Sequence, residues 1–204
     1  MPAWLRVAPW LSHSDGRTQC GEAIGAIAQP ESLPLLEQFA DDARPEVSET
    51  CALAARRLRW TMVRRAGLAH VMPRWHVLSC VREQDGKSKD DGSADNPYQS
   101  VDPAPPEDKS GEAPTAEEVA AVQARLLDTE LPLFERYRAM FTLRNMQTAE
   151  AVVALCAGLT DPTSALFRHE VAYVLGQLQH AAATDALAKV RCASAFAPLV
   201  CWLV

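Results

Sequence analysis

Two stretches decide the fold: Arg168-His-Glu-Val-Ala-Tyr-Val-Leu-Gly-Gln-Leu178 and Arg17-Thr-Gln-Cys-Gly-Glu-Ala-Ile-Gly-Ala-Ile27. When Gly25 is placed on Gly176, the leading arginine, the glycine and the aliphatic residues beside it coincide. A third, partial copy, Arg136-Tyr-Arg-Ala-Met-Phe-Thr-Leu143, lies 32 residues before the first stretch. Helical units that repeat at about this period are typical of an α-solenoid, in which each unit buries its apolar face against its neighbours.

Apolar residues recur at helical spacing over most of the chain, and no alternating run bounded by hairpin turns is present. We therefore predict an all-α superhelix of HEAT-like helix-pair repeats, with a period shorter than the usual HEAT range. The second helical region begins at Thr115-Ala-Glu-Glu118, a capping-box pattern. The first three predicted helices cover Arg17–Ala28, cover 33–40 with Ser32 as the candidate cap, and begin near Pro45. The buried face of the third is predicted to hold Val47, Cys51, Ala54 and Leu58. The later helices are predicted to begin at Thr115 and to cover Pro132–Arg144, Thr148–Leu159, Ser164–Gln179 and Asp185–Val190.

An acidic segment separates two partial lobes. Residues 85–118 hold ten Asp or Glu and three Lys, a balance of −7, so the rest of the chain carries +1. Such a segment buries too little apolar surface to offset its ordering entropy, and we predict a disordered linker at 85–114. The lobes are predicted at 17–60 and 115–190, with an unmatched insert at 61–84 and an unmatched apolar tail at 191–204. A net charge of −6 argues against a nucleic-acid binder.

Cysteine usage and hydropathy indicate a cytoplasmic protein. No run approaches the roughly 18 apolar residues that a membrane span requires, and the first 16 residues lack the apolar core of a secretory signal. We therefore expect no membrane partner and reduced thiols, without a zinc site, because none of the cysteines has CxxC spacing. The six are Cys20, Cys51, Cys80, Cys156, Cys192 and Cys201.

The candidate functional site is the adjacent pair His169-Glu170. At 100° per residue, His169 falls nearly opposite the apolar stripe of its helix, on a polar face with Tyr173 and His180. Gly176 on this face leaves room for another group to approach. Imidazole and carboxylate together suit iron, manganese or zinc when a neighbouring helix supplies a second pair. The same pair also occurs on solvated helix faces that bind nothing, so spacing alone leaves both interpretations open.

Longer motifs give a resemblance to a known family. They are Leu133–Asn145, Ser164–His180, Gly21–Ile27, Glu49–Cys51, Arg56–Leu58 and Ser100–Pro106. In them the chain resembles deoxyhypusine hydroxylase over about residues 20–60 and 97–190. The resemblance implies two lobes of HEAT-like helix pairs and a di-iron centre held by four His-Glu pairs, two from each lobe. It implies an iron-dependent monooxygenase of hypusine biosynthesis, an oxidoreductase that hydroxylates the deoxyhypusine side chain of translation initiation factor 5A. His169 and Glu170 are then the expected iron ligands.

The chain departs from the family pattern because it contains a single His-Glu pair. In the first lobe Thr18-Gln19 stand at the matching position, and neither side chain replaces an iron ligand. A di-iron centre needs several donors around each metal, so we expect this chain alone to bind iron poorly and to be inactive, and we assign no catalytic residue. A non-catalytic HEAT-repeat module that binds proteins and a poorly folded product are the alternatives. Because the matched stretches end abruptly, we hypothesise a truncated form from an alternative transcript or a faulty gene model.

Overall fold

The computed structural model describes residues 14–65, 101–107 and 114–192, and in these ranges all regular structure is helical. The α-helices are α1 (Ser14–Ile27), α2 (Leu33–Phe39), α3 (Pro45–Arg65), α4 (Ala116–Leu127), α5 (Leu133–Met146), α6 (Ala149–Cys156), α7 (Ala165–Leu178) and α8 (Thr184–Cys192). Short 3-10 turns lie at Pro30–Ser32, Ala157–Thr160 and Ala181–Ala183. The predicted all-α fold is confirmed. None of the described helices is long and apolar enough to cross a bilayer.

The chain forms two compact units, of which the first includes described residues 14–65 and 101–103. Helices α1 and α2 both pack on α3, and the predicted buried face of α3 is confirmed. Helix α3 continues to Arg65, past the predicted end of the lobe at residue 60, because Met62 still packs against the core. Ser32 occupies the N-cap position of α2, as predicted, but its side chain makes no capping hydrogen bond among the described residues. The core residues of this unit are Ala28, Leu36, Val47, Cys51, Ala54, Ala55 and Leu58.

The second unit includes described residues 104–107 and 114–192 and is built around α5. This helix contacts α4, α6 and α7, and all but one of the residues from Phe134 to Leu143 are buried. The ring of Tyr137 meets those of Phe141 and Phe167 edge-on, with centroids 6.2 and 5.7 Å apart, a favoured aromatic geometry. The predicted capping box is confirmed: the Glu118 amide donates to Thr115 Oγ1 at 3.2 Å, and the Thr115 amide donates to Glu118 Oε2 at 2.8 Å.

The prediction of disorder over 85–114 is wrong for residues 104–107, which pack against α4 and α5 within the second unit. Ala104 is fully buried, and Arg138 Nε donates to the Pro105 carbonyl at 3.2 Å. The Glu107 amide donates to Thr142 Oγ1 at 2.9 Å, and the Glu107 carboxylate forms an ion pair with Arg125. Side chains of α4 and α5 therefore supply the stabilisation that the segment lacks on its own. Residues 85–100 and 108–113 lie outside the described residues.

The internal repeat is visible in the backbone as well as in the sequence. Helices α1, α5 and α7 are each followed by a residue with positive φ: Ala28 at 55°, Gln147 at 53° and Gln179 at 49°. These residues occupy the same position in the three copies, 151 and 32 residues apart in the alignments that place Gly25 on Gly176 and Arg136 on Arg168. An L-residue adopts this left-handed conformation only at some cost, so its recurrence marks one turn geometry used three times. We call the three repeated helices α1, α5 and α7 leading helices. We use the same term for α3, which is the next leading helix after α1 as α7 is the next after α5.

Candidate functional site

The candidate pair His169-Glu170 lies in the second turn of α7. The helix begins sharply because Ser164 Oγ accepts a hydrogen bond from the Phe167 amide at 2.9 Å, which satisfies one of its unpaired donors. Four of the five residues of its predicted apolar stripe are fully buried, and the fifth, Leu178, is half-buried. The four buried residues are Phe167, Val171, Val174 and Leu175.

His169 lies on the side of α7 away from the buried stripe and is half-buried. Its Nδ1 atom is inaccessible to solvent and has no hydrogen-bond partner among the described residues. Burial lowers the pKa of the imidazole below its ordinary value, which favours the neutral ring with a free lone pair. Helix α7 contacts α5, α6 and the turn at Ala157–Thr160.

The other residues of the predicted polar face do not all join the pair. Glu170 is half-buried beside His169, and Tyr173 is exposed one turn further along α7. Gly176 is open, as expected, since no described atom lies within 4 Å of a Cβ placed there. His180 lies beyond the end of α7, where its Nδ1 accepts a hydrogen bond from the Ala182 amide at 3.2 Å and caps the next turn. His180 is therefore a structural residue.

The donors in the described ranges do not fit a di-iron centre. No group of three or more His, Cys, Asp or Glu is placed there to hold a metal ion. His169 offers one unpaired nitrogen and Glu170 one carboxylate, which is two ligands from one helix. On α1, Thr18 is half-buried and Gln19 is exposed, and neither side chain is an iron ligand of the kind the pair provides. The remaining histidines, His13, His70 and His76, lie outside the described residues.

A buried ion pair positions the start of α7, and the sequence analysis missed it. Arg136 forms an ion pair with Asp161, donates from Nε to the Leu126 carbonyl at 3.0 Å, and lies 4.1 Å from the ring centroid of Phe167. Asp161 Oδ1 also accepts from the amide of Ser164 at 2.9 Å. Burial alone would raise the pKa of Asp161, but these hydrogen bonds outweigh it and hold the pKa below its ordinary value.

The signal that could have revealed this pair is its spacing. Arg17 donates to Asp42 at 2.7 Å, and both arginine–aspartate pairs span 25 residues. In each case the arginine lies in the first turn of a leading helix, and the aspartate lies in the loop before the next leading helix. The aligned arginines were therefore a clue to a contact that repeats with the fold.

Known proteins match this chain in both sequence and structure. A family model described as PBS lyase HEAT-like repeat matches residues 135–161 and 167–191, which cover α5–α6 and α7–α8. The deoxyhypusine hydroxylase of Danio rerio is 46% identical over 171 residues, which are 84% of this chain and 47% of the relative. That of Homo sapiens is 45% identical over 172 residues, 84% of this chain and 46% of the relative.

The solved structure of human deoxyhypusine hydroxylase in complex with glycerol superposes with a TM-score of 0.63 at 44% identity. The match covers 89% of this chain and 51% of that one. The chain thus spans about half the length of the curated relatives it matches. The HEAT-like architecture and the resemblance found in the sequence are both confirmed. By sequence and by fold, this chain belongs to the deoxyhypusine hydroxylase family.

Proposed function

We propose that this chain provides part of a deoxyhypusine hydroxylase scaffold and does not hydroxylate deoxyhypusine by itself. The supporting observation is that no third potential metal ligand joins His169 and Glu170 within the described ranges. The family's reaction, by resemblance, belongs to hypusine biosynthesis and modifies translation initiation factor 5A. Iron held by a complete ligand set would supply the oxygen chemistry, which amino-acid side chains do not supply.

The residues of this chain have a more limited role in the proposal. The neutral imidazole of His169 and the carboxylate of Glu170 each offer one donor on a rigid helix that Ser164 and Asp161 hold in place. Two donors leave most of the coordination sphere of one metal ion to water, and such a site loses Fe(II) to chelators. The pair therefore provides an incomplete iron site.

A direct assay tests the proposed inactivity. The purified 204-residue chain is incubated with Fe(II), oxygen, a reductant and translation initiation factor 5A that carries deoxyhypusine. Mass spectrometry then detects the gain of one oxygen atom on the substrate. Full-length human deoxyhypusine hydroxylase serves as the positive control. We expect no product above the level without protein. Product that forms with this chain and disappears in His169→Ala would overturn the proposal.

A second candidate function is a non-catalytic module that binds proteins. Val153 on α6 and Tyr173 on α7 are large and exposed, on consecutive helices of one unit. HEAT-type scaffolds bind partners through such extended surfaces, and the deoxyhypusine form of translation initiation factor 5A is the partner we propose. Surface plasmon resonance should then show binding that Val153→Asp and Tyr173→Ala weaken and that exposed Gln177→Ala leaves unchanged. Equal binding by all four proteins would contradict this candidate.

We also propose a cytosolic location. In the described ranges Cys20, Cys51 and Cys156 are free thiols, and reduced thiols suit the cytosol. Fractionation of cells that express the tagged chain tests this location, and recovery in the secretory pathway would contradict it.

A further inference from the structure

Helix α7 carries a vacant packing position at Gly176, and its counterpart in the first unit is filled. The internal repeat places Gly176 on Gly25. A Cβ placed on Gly25 would lie 2.7 Å from Cβ of Ala54 and 3.2 Å from its Cα, so α3 packs there at very close range. At Gly176 no described atom lies within 4 Å. Each glycine allows another helix to approach closely, and among the described helices such a close neighbour is present at Gly25 and not at Gly176.

Helix α1 exposes the same kind of surface that α3 uses in this contact. Cys51, Ala54 and Leu58 of α3 are buried in the core that α1 helps to form. Cys20, Ala23 and Ile27 of α1 repeat this pattern with the same spacing, 31 residues earlier. Cys20 is half-buried, Ala23 is exposed, and Ile27 is 64% exposed where Leu58 is 0% exposed. An exposed apolar surface of this kind indicates a contact that is still to be made.

We propose that α7 of one copy binds α1 of a second copy, with Ala23 seated against Gly176. This contact continues the solenoid across two chains and repeats the packing of α1 on α3. In this contact, which we call the joint, Ile27 becomes buried, as Leu58 already is. Exposed Tyr173 lies one helical turn from Gly176, next to the joint. Because the two faces differ, the joint is head-to-tail and generates a ring or an open chain of copies. The inference does not depend on the proposed function.

At one position the proposed contact between α7 and α1 of a second copy differs from the contact between α1 and α3. Ala172 stands where the repeat has Gly21, and a Cβ on Gly21 would lie 3.0 Å from Sγ of Cys51. The corresponding Cys20 side chain must therefore shift by a few tenths of an ångström beside Ala172. A cysteine side chain on a half-exposed position can rotate to allow this, so Ala172 is tolerated.

Light scattering after size-exclusion chromatography, over a range of protein concentrations, tests the joint. We expect the mass of the wild-type chain to rise above that of one chain, and Gly176→Leu and Ala23→Arg each to restore the monomer. Gln177→Leu and Ala26→Arg are matched controls, because each changes an exposed neighbour on the same helix. Circular dichroism verifies that all variants remain folded.

A mixing experiment separates a head-to-tail joint from any other association. Ala23→Arg leaves the α7 face intact, and Gly176→Leu leaves the α1 face intact, so an equimolar mixture should form a dimer that neither variant forms alone. A wild-type chain that stays monomeric at every concentration overturns the proposal, as does an oligomer that resists both variants. If deletion of 193–204 is needed before copies associate, that segment covers the face in the natural chain, and the proposal is also wrong.

Discussion

Arg136 and Asp161 form an ion pair that the fold repeats at Arg17 and Asp42, and the two pairs differ in how deeply they are buried. Their side chains are each 2% exposed, whereas those of the equivalent Arg17 and Asp42 are 25% and 12% exposed. In both pairs Oδ1 of the aspartate also accepts an amide hydrogen bond from the residue two positions on, at 2.9 Å. The local turn is therefore the same, and the two sites differ mainly in how far the charges are removed from water.

Replacing Asp161 with Asn should destabilise the second unit far more than the equivalent change destabilises the first. Asn keeps the oxygen that accepts the turn hydrogen bonds but leaves the buried Arg136 charge without its partner. We expect a loss of about 3 kcal/mol or more for Asp161→Asn. The matched control Asp42→Asn should cost about 1 kcal/mol at most, because its pair is partly solvated. Urea unfolding followed by circular dichroism measures both, and equal losses would contradict the assignment.

The lowered pKa of Asp161 predicts a loss of stability in acid. A carboxyl group whose pKa is lower in the folded state stabilises the fold fully above its unfolded pKa of about 4, and this contribution fades as the pH falls through the folded pKa. Burial also lowers the pKa of His169, so protonation of this imidazole destabilises the fold as the pH falls below its unfolded pKa of about 6.5, well before Asp161 is protonated. The difference in stability between wild type and Asp161→Asn isolates the carboxyl group. It should shrink below about pH 4; a constant difference down to pH 2 would count against the ion pair.

At the scale of elements, α1 and α7 are copies that differ in what covers them. Each is followed by a left-handed residue, and each carries a glycine at the same position. Each also has an arginine in its first turn that donates to an aspartate in a loop, Arg17 to the Asp42 carboxylate and Arg168 to the Asp161 carbonyl. The glycine of α1 admits α3, and the glycine of α7 is open in the described part of the chain. The glycine is therefore required for packing in α1, whereas in α7 folding does not depend on it.

Adding one methyl group at each glycine should have opposite effects. Gly25→Ala forces the backbone of α3 outward, and we expect a loss of about 1–3 kcal/mol. Gly176→Ala meets no described atom and replaces a poor helix former, so it should be neutral or stabilise by up to about 1 kcal/mol. Thermal and urea unfolding at a protein concentration low enough to keep the chain monomeric compare the two. A larger loss for Gly176→Ala would show that the two helices are not covered as described.

Local signals predicted most of the elements, and long-range contacts account for the differences. The Thr115 capping box and the buried face of α3 follow from residues within one or two turns, so the sequence predicts them correctly. The order at Ala104 and Glu107 depends on Arg138 and Thr142, more than 30 residues away, and composition alone predicts disorder. The pair His169-Glu170 was found from its chemistry, but its burial depends on neighbours that a single helical wheel does not include.

At the scale of the whole molecule, the described residues form a family scaffold in which no three potential metal ligands are grouped. The described residues form two helical units, and about half the length of each curated relative is matched. Within those units the one His-Glu pair of the sequence has an unpaired, neutral imidazole but no third donor.

Iron stoichiometry tests the central claim, that this scaffold does not complete a di-iron centre by itself. The chain is purified without chelators, loaded anaerobically with Fe(II), passed over a desalting column and measured by inductively coupled plasma mass spectrometry beside His169→Ala. We predict well below one iron per chain, with the residual amount removed by a mild chelator and reduced further in the variant. Two irons per chain that survive chelation in the wild-type protein, and are lost in His169→Ala, would contradict the account.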